Sequence, residues 1–162
     1  MTRDDGINAA GSDSSGDSFG KPGTANSNCN VTITGVTITV NAAGDGLDSN
    51  GILTIEGGFV IVNGSTSNGN SALDYDNSST ITGGTLIAIG SSGMAQAPGS
   101  DSTQPVLSIT FSEMQKDDTV VNLTDKAGNL ILSFVLKSAF RISSSVRHFL
   151  KPAKPIRFTQ EP

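Results

Sequence analysis

The stretch "VTITGVTITV" (residues 31–40) decides the fold of this chain, because two later stretches repeat its pattern. They are "LTIEGGFVIV" (residues 53–62) and "STITGGTLIA" (residues 79–88). The central glycines of the three stretches lie 22 and then 26 residues apart. Short β-branched stretches at such a period, joined by loops of varying length, are typical of a β-solenoid, in which stacked repeats bury together what one repeat cannot bury alone.

Alignment of the repeats predicts which side chains stack inside the solenoid. Apolar and polar residues alternate along each stretch, so Thr37 and Thr39 are expected outside. The glycine after each "TI-x" is expected to bend the chain at a positive φ. An antiparallel sandwich with glycine turns is the alternative fold. The predicted interior ladders are Ile7/Leu47/Leu73, Ile33/Ile55/Ile81, Ile38/Val60/Leu86 and Val40/Val62/Ala88.

We therefore expect an all-β chain in three parts. Residues 1–100 form the parallel coils, with an insertion at about residues 12–29. Residues 101–140, with "PVLSITFS", "DTVVNLTD" and "NLILSFVL", form a short β-meander that caps or continues the solenoid. Residues 141–162 form a basic tail. Met1 is followed at once by repeat-like sequence without a signal peptide, so we expect the chain to begin inside a longer protein.

Charge is divided unevenly along the chain. Residues 1–136 carry 14 acidic and 4 basic side chains, whereas residues 137–162 carry 1 and 6. The acidic body argues against nucleic-acid binding and suits divalent cations. The single cysteine, Cys29, supports neither a disulfide framework nor a cysteine metal site. No apolar run is long enough for membrane insertion.

Acidic and amide residues recur at one corner of the predicted coil, in "DDGIN" (residues 4–8), "AGDGLDSNG" (43–51) and "NSALDYD" (70–76). Stacking at about 4.8 Å would place Asp48 over Asp74 with Asn8 in line. At about 4 Å, two carboxylates repel by roughly 1 kcal/mol in water and roughly 4 kcal/mol at an effective dielectric near 20. A bound cation replaces this repulsion with attraction, and hard oxygen ligands indicate Ca²⁺. The alternative is that these are only polar turn residues.

Four longer motifs resemble a known family: "DDGINAAG", "VNAAGDGLDSNG", "NGNSALDYD" and "ITGGTLIAIGSSGMAQAP". They resemble the carbohydrate-binding domain family of clostridial and related anaerobic bacteria, over about residues 4–140. The resemblance implies a secreted or cell-surface protein with a right-handed parallel β-helix similar to that of pectate lyases, incomplete here at its N-terminus. It also implies binding of cellulose or polygalacturonate, and calcium ligands among Asp5, Asp45, Asp48, Asp74 and Asp76.

Past Phe140 the sequence "RISSSVRHFLKPAKPIRFTQEP" departs from this family. Codons can be chosen that encode the tail in one frame and a family-like "ETGKTYTLYTGA" in another. We hypothesise that residues 141–162 are a frameshift product, and the alternative is a native basic tail. We assign no nucleic-acid or membrane function to the tail.

Three kinds of function remain, and we favour non-catalytic binding of plant cell-wall polysaccharide, either polygalacturonate (pectin) or cellulose. A pectate lyase-like enzyme would need a basic residue within reach of its substrate proton. There is no Lys, Arg or His between Asn30 and Pro105, so only Lys21 and Arg3 remain as candidates. We therefore assign no catalytic residue. The third possibility is a passive solenoid or adhesin segment without a ligand.

Sugar binding is expected on an outward face of the strands. Hydroxyl and amide groups there can hydrogen-bond to sugar hydroxyls, and an aromatic ring can stack on a sugar ring. Tyr75, the single tyrosine, has a second interpretation, in which it packs across the corner. The candidate carbohydrate-binding residues are Tyr75, Asn41, Asn63, Thr37 and Thr39.

Overall fold

The computed structural model describes residues 4–11, 28–111, 113–137, 142–147 and 156–161, and its regular elements are all β-strands. The described part of the chain contains no helix that could span a membrane. The strands are β1 (Ile7–Ala9), β2 (Val31–Ile33), β3 (Thr37–Asn41), β4 (Leu47–Ser49), β5 (Ile52–Ile55), β6 (Phe59–Asn63), β7 (Leu73–Tyr75), β8 (Ser78–Ile81), β9 (Thr85–Ser91), β10 (Leu107–Thr110), β11 (Val120–Asp125), β12 (Leu130–Val135), β13 (Ile142–Arg147) and β14 (Ile156–Glu161).

The first nine strands form three repeats, and each repeat contributes one strand to each of three sheets. Sheet I has the order β1-β4-β7 and sheet II the order β2-β5-β8, and both are parallel throughout. Sheet III has the order β10-β13-β9-β6-β3, in which β3, β6 and β9 pair in parallel. The chain is thus all-β with parallel sheets, an arrangement compatible with a β-solenoid.

The strand register confirms the four predicted ladders. In sheet I, Leu47 pairs with Ile7 on one side and with Leu73 on the other. The other three ladders pair as predicted in sheets II and III. Burying a Leu, Ile or Val side chain contributes roughly 1.5–3 kcal/mol, so one repeat alone could not stabilise itself. The ladders lie in one apolar cluster, which we call the first core. Its fully buried side chains are Leu47, Leu53, Ile55, Val60, Val62, Leu73, Ile81 and Leu86.

A second apolar core covers the outer face of sheet III. In β9, Leu86 and Ala88 belong to the first core, whereas the alternate residues Ile87 and Ile89 belong to the second. Strand β9 is therefore buried on both faces, because one core packs on each side of it. The remaining buried members of the second core come from β11, β12 and the residue after β12, and they are Val121, Leu123, Phe134 and Leu136.

The β-meander expected over residues 101–140 is only partly present. Strands β11 and β12 pair in an antiparallel hairpin, as expected. Strand β10 does not pair with β11 but with β13, which pairs in turn with β9. The reason is that β11 packs Val121 and Leu123 face-on against sheet III, and it cannot at the same time continue the edge of that sheet beside β10. Strand β14 extends the hairpin by pairing with β11.

Residues 96–104 close the end of sheets I and II after the third repeat. The Tyr75 N–H donates to Gln96 Oε1 at 2.9 Å, and the Gly99 N–H donates to the Ser79 carbonyl at 2.7 Å. The Thr103 N–H donates to the carbonyl of Ile81 at 3.1 Å. These bonds satisfy backbone groups of β7 and β8 that an open sheet edge would leave exposed to pairing with another chain.

The bend between sheets II and III differs from the sequence prediction. Positive φ occurs at Gly58 (90°) and Gly84 (75°), not at the preceding Gly57 and Gly83, so the predicted position is wrong by one residue. Gly57 is required for a different reason, since a Cβ there would lie 2.5 Å from the carbonyl oxygen of Thr34 in the previous repeat. The aligned glycines therefore allow close stacking of backbones, and their neighbours make the bend.

Two glycine substitutions test this packing. Gly57→Ala should lower the free energy of unfolding by about 1–3 kcal/mol, because the added methyl group forces two repeats apart. Gly35→Ala is the matched control: no atom lies within 4 Å of a Cβ there, and its φ is not positive. It should be neutral or stabilising by up to about 1 kcal/mol. Urea unfolding of both variants measures the difference, and equal effects would contradict the assigned stacking.

Candidate functional site

Sheet I positions the central acidic column of the site. In β4 the side chains of Leu47 and Ser49 are buried, which turns Asp48 to the opposite side of the strand. Parallel pairing then aligns Asn8 with Asp48 and Asp48 with Asp74. The stacking predicted from the sequence is confirmed for this column, and it follows directly from the apolar residues that fix the register of the strands.

A second column, formed by Asp5, Asp45 and Ser71, lies just before the strands of sheet I and links the repeats by hydrogen bonds. Asp5 Oδ1 accepts a hydrogen bond from the backbone N–H of Asp45 at 2.8 Å. Asp45 Oδ1 accepts in the same way from the backbone N–H of Ser71 at 2.6 Å. Each carboxylate thus binds the residue stacked on it in the next repeat. Ser71 occupies the place of the aspartate in the third repeat, which the alignment of "NSALDYD" with "GDGLDSN" already indicates.

Amide side chains accompany the outer carboxylates. Asn8 Nδ2 donates to Asp5 Oδ2 at 2.8 Å, and Asn50 Nδ2 donates to Asp76 Oδ2 at 3.3 Å. The sequence reasoning did not single out Asn50, although it aligns with Asp76 one repeat later. These bonds join Asp5 and Asp76 to the same corner as the central column.

Burial and mutual repulsion disturb the ionisation of three aspartates. Desolvation is the main cause of a pKa of about 7 for Asp48, and repulsion from Asp5, Asp74, Asp45 and Asp76 adds to it. Desolvation also raises the pKa of Asp45 to about 6, although the Ser71 N–H opposes the shift. The pKa of Asp74 is raised by desolvation and then by repulsion from Asp76. The five predicted carboxylates therefore repel one another, and a bound positive charge would lower the free energy of the corner.

The ligand atoms available at the corner suit a hard cation. It offers carboxylate and amide oxygens, which Ca²⁺ prefers, with neither His nor Cys among them. Within the described ranges, no three His, Cys, Asp or Glu side chains converge into a ready metal-ligand group. A cation at this corner would therefore also draw on amide and backbone carbonyl oxygens, which are common calcium ligands.

Of the outward residues predicted to bind sugar, the structure places three as expected. Thr37, Thr39 and Asn41 are exposed on β3. The predicted outward position of Asn63 is wrong, since this residue is only 3% exposed. It aligns with Ile89 of the second core, and its Nδ2 donates to Asn41 Oδ1 at 2.9 Å. The predicted polysaccharide face on sheet III is thus reduced to its β3 edge.

Tyr75 adopts the second of its two interpretations. Its ring packs against the first core, its hydroxyl donates to the Ala97 carbonyl at 2.8 Å, and its N–H donates to Gln96. This tyrosine holds the closing segment 96–104 across the corner. The basic candidates for a lyase, Lys21 and Arg3, lie outside the described residues.

The raised pKa of Asp48 gives the metal-free protein a defined pH dependence. Its folded pKa of about 7 exceeds the ordinary value of 3.8, so the folded protein binds more protons between these values. The free energy of unfolding in chelator should therefore fall as pH rises from about 4 to 7. Thermal unfolding of Asp48→Asn should show a shallower fall, whereas Asp101→Asn, an exposed turn carboxylate, should behave as the unaltered protein. Parallel pH profiles for all three proteins would contradict this electrostatic description.

Comparison of the chain with family models, with curated proteins and with solved structures finds no match in any of the three. The family resemblance described above therefore rests on its quoted motifs. The function must be argued from the aligned acidic corner and from the outer faces of the sheets.

Proposed function

We propose that this chain is a right-handed parallel β-helix module that binds plant cell-wall polysaccharide with the help of calcium and does not cleave it. The observation that carries the proposal is the alignment of Asn8, Asp48 and Asp74 in successive repeats, with Asp5, Asp45 and Asp76 at the same corner. In this proposal the protein is secreted or on the cell surface, where calcium is abundant enough to fill weak sites.

Calcium has a clear physical role in this proposal. The corner keeps several carboxylates close together at an energetic cost, as the raised pKa values of Asp45, Asp48 and Asp74 indicate. A divalent cation converts that repulsion into attraction, and it can also bridge to the carboxylates of an acidic polysaccharide. The same ions would thus stabilise the fold and recruit polygalacturonate.

Binding without cleavage is favoured over a polysaccharide lyase by the residues that surround the corner. Proton abstraction needs a base within hydrogen-bond reach of the substrate. The sequence from residue 31 to residue 104 carries no Lys, Arg or His. Aspartates that hold calcium are not available as general bases. A passive spacer remains the other alternative, in which calcium serves stability alone.

Calcium should stabilise the folded protein by mass action. At a free concentration 100-fold above its Kd, one bound ion adds about 2.7 kcal/mol to the free energy of unfolding. Asp74→Asn removes one carboxylate from the corner and should lose most of this gain, while Asp101→Asn should retain it. Thermal unfolding at pH 7 in calcium and in chelator measures the effect, and equal midpoints in the two buffers would exclude a calcium site.

Retention on insoluble polygalacturonate tests the binding function itself. The protein should sediment with the polymer in calcium and remain in solution in chelator, because the bridging cations are removed. Asp48→Asn should weaken retention in calcium by about tenfold or more in Kd, since a carboxylate ligand is lost. A folded protein that stays in solution in both buffers would exclude acidic pectin as the ligand, and absence of binding to cellulose as well would select the passive spacer.

A further inference from the structure

Sheet II presents an outer face that differs from those of the other two sheets. Its strands alternate strictly, with Val31, Leu53 and their register partners in or beside the first core and the residues between them turned outward. Eight outward positions alternate with the core residues, and five of them are threonines. Ile52 and Ser78 pair with each other where β5 and β8 begin. The other six are Thr32, Thr34, Thr54, Glu56, Thr80 and Thr82.

Register turns these residues into two columns. Thr32 pairs with Thr54, and Thr54 pairs with Thr80. The hydrogen bonds continue past the strand ends, from the Glu56 N–H to the Ile33 carbonyl at 2.7 Å and from the Thr82 N–H to the Ile55 carbonyl at 2.8 Å. Hydroxyl groups therefore recur at about 4.8 Å across the strands in the column of Thr32, Thr54 and Thr80. In the second column, Glu56 stands between Thr34 and Thr82, roughly 6.6 Å along the strands from the first.

This face remains open where the outer face of sheet III is covered. In the described part of the chain, the second core packs on Ile87 and Ile89 of sheet III and includes no residue of sheet II. Exposed apolar residues lie at the bend that leads from sheet II into sheet III, where Val36 is 56% exposed and Phe59, the first residue of β6, is 36% exposed. Hydroxyl groups next to an exposed aromatic ring suit a sugar, which has polar edges and apolar ring faces.

The charge of the face selects among sugars. Glu56 carries the only charge among these positions, and no Lys, Arg or His occurs from residue 31 to residue 104 to attract a carboxylate. A polyuronate would bring negative charge to Glu56 without a partner, whereas an uncharged glycan meets hydroxyl groups that both donate and accept. Charge complementarity therefore favours a neutral ligand here and leaves acidic sugars to the cation corner on sheet I.

We propose that the outer face of sheet II, formed by the column of Thr32, Thr54 and Thr80 and the neighbouring column of Thr34, Glu56 and Thr82, is the binding surface for a neutral polysaccharide of packed, extended glucan chains. This inference rests on the proposed function as a polysaccharide-binding module, and it assigns a face that differs from the predicted one on β3. A ligand whose hydroxyl groups repeat along and across its chains can meet the columns at several points, so that weak contacts add up.

The experiment compares two matched pairs of Thr→Val substitutions on insoluble cellulose and on polygalacturonate, both in calcium. Valine keeps the β-branched shape and removes only the hydroxyl group. Thr54→Val with Thr80→Val should raise the Kd for cellulose by about one order of magnitude and leave retention on polygalacturonate unchanged. Thr66→Val with Thr110→Val, a control pair of exposed threonines outside sheet II, should change neither. Thermal unfolding confirms that each variant is folded, and Thr34→Val with Thr82→Val provides a second pair on the same face.

The outcomes separate this inference from the function on which it rests. If the protein binds polygalacturonate in calcium but not cellulose, the neutral-glucan face is wrong and the binding module stands. If cellulose binding is lost in the control pair Thr66→Val with Thr110→Val, or persists in both pairs on sheet II, the assigned face is wrong. Retention on neither polymer by the unaltered, folded protein overturns both proposals.

Discussion

Parallel, in-register pairing between successive repeats is the constraint on which the rest of the structure depends. It places each residue directly beside its counterpart in the next repeat, as with Leu47 between Ile7 and Leu73. For apolar residues this produces continuous buried ladders, and for threonines it produces columns of hydroxyl groups. For aspartates it brings like charges together, and their repulsion adds to desolvation, the main cause of the raised pKa of Asp48.

The last repeat and the outer faces of the sheets are covered to different extents. After the third repeat, Tyr75 and residues 96–104 cover the edges of sheets I and II, and β13 pairs along β9. On sheet III the outer face changes along the repeats from Thr39 through Ile61 to Ile87, and the apolar end carries the second core. The polar face of sheet II shows no such change. The same repeat therefore forms a covered outer face on sheet III and an open outer face on sheet II.

Much of the fold could be predicted from the sequence because the period and the alternation of apolar residues fix the register. All four ladders and the column of Asn8, Asp48 and Asp74 follow from that register. What the alignment could not supply was the effect of residues from 107 to 136 that cover sheet III. It also could not supply the burial of Asn63, whose side chain donates to Asn41 in the previous repeat. A signal was present in "TLIAIG", where Ile87 and Ile89 make the outward positions apolar. The bend at Gly58, rather than at Gly57, depends on backbone torsions that a repeated glycine pair does not distinguish.

The positions of charge and of hydroxyl groups on separate sheets have a common cause. A carboxylate column costs less where desolvation is incomplete, and on the short strands of sheet I Asp48 and Asp74 are only half-buried. A hydroxyl column needs no counter-ion, so it can occupy the outer face of sheet II across all three strands. Because both columns obey one register, a shift of a single residue would turn the aspartates and the threonines inward and the ladders outward at once. The ladders that stabilise the core therefore also hold both candidate binding faces in position.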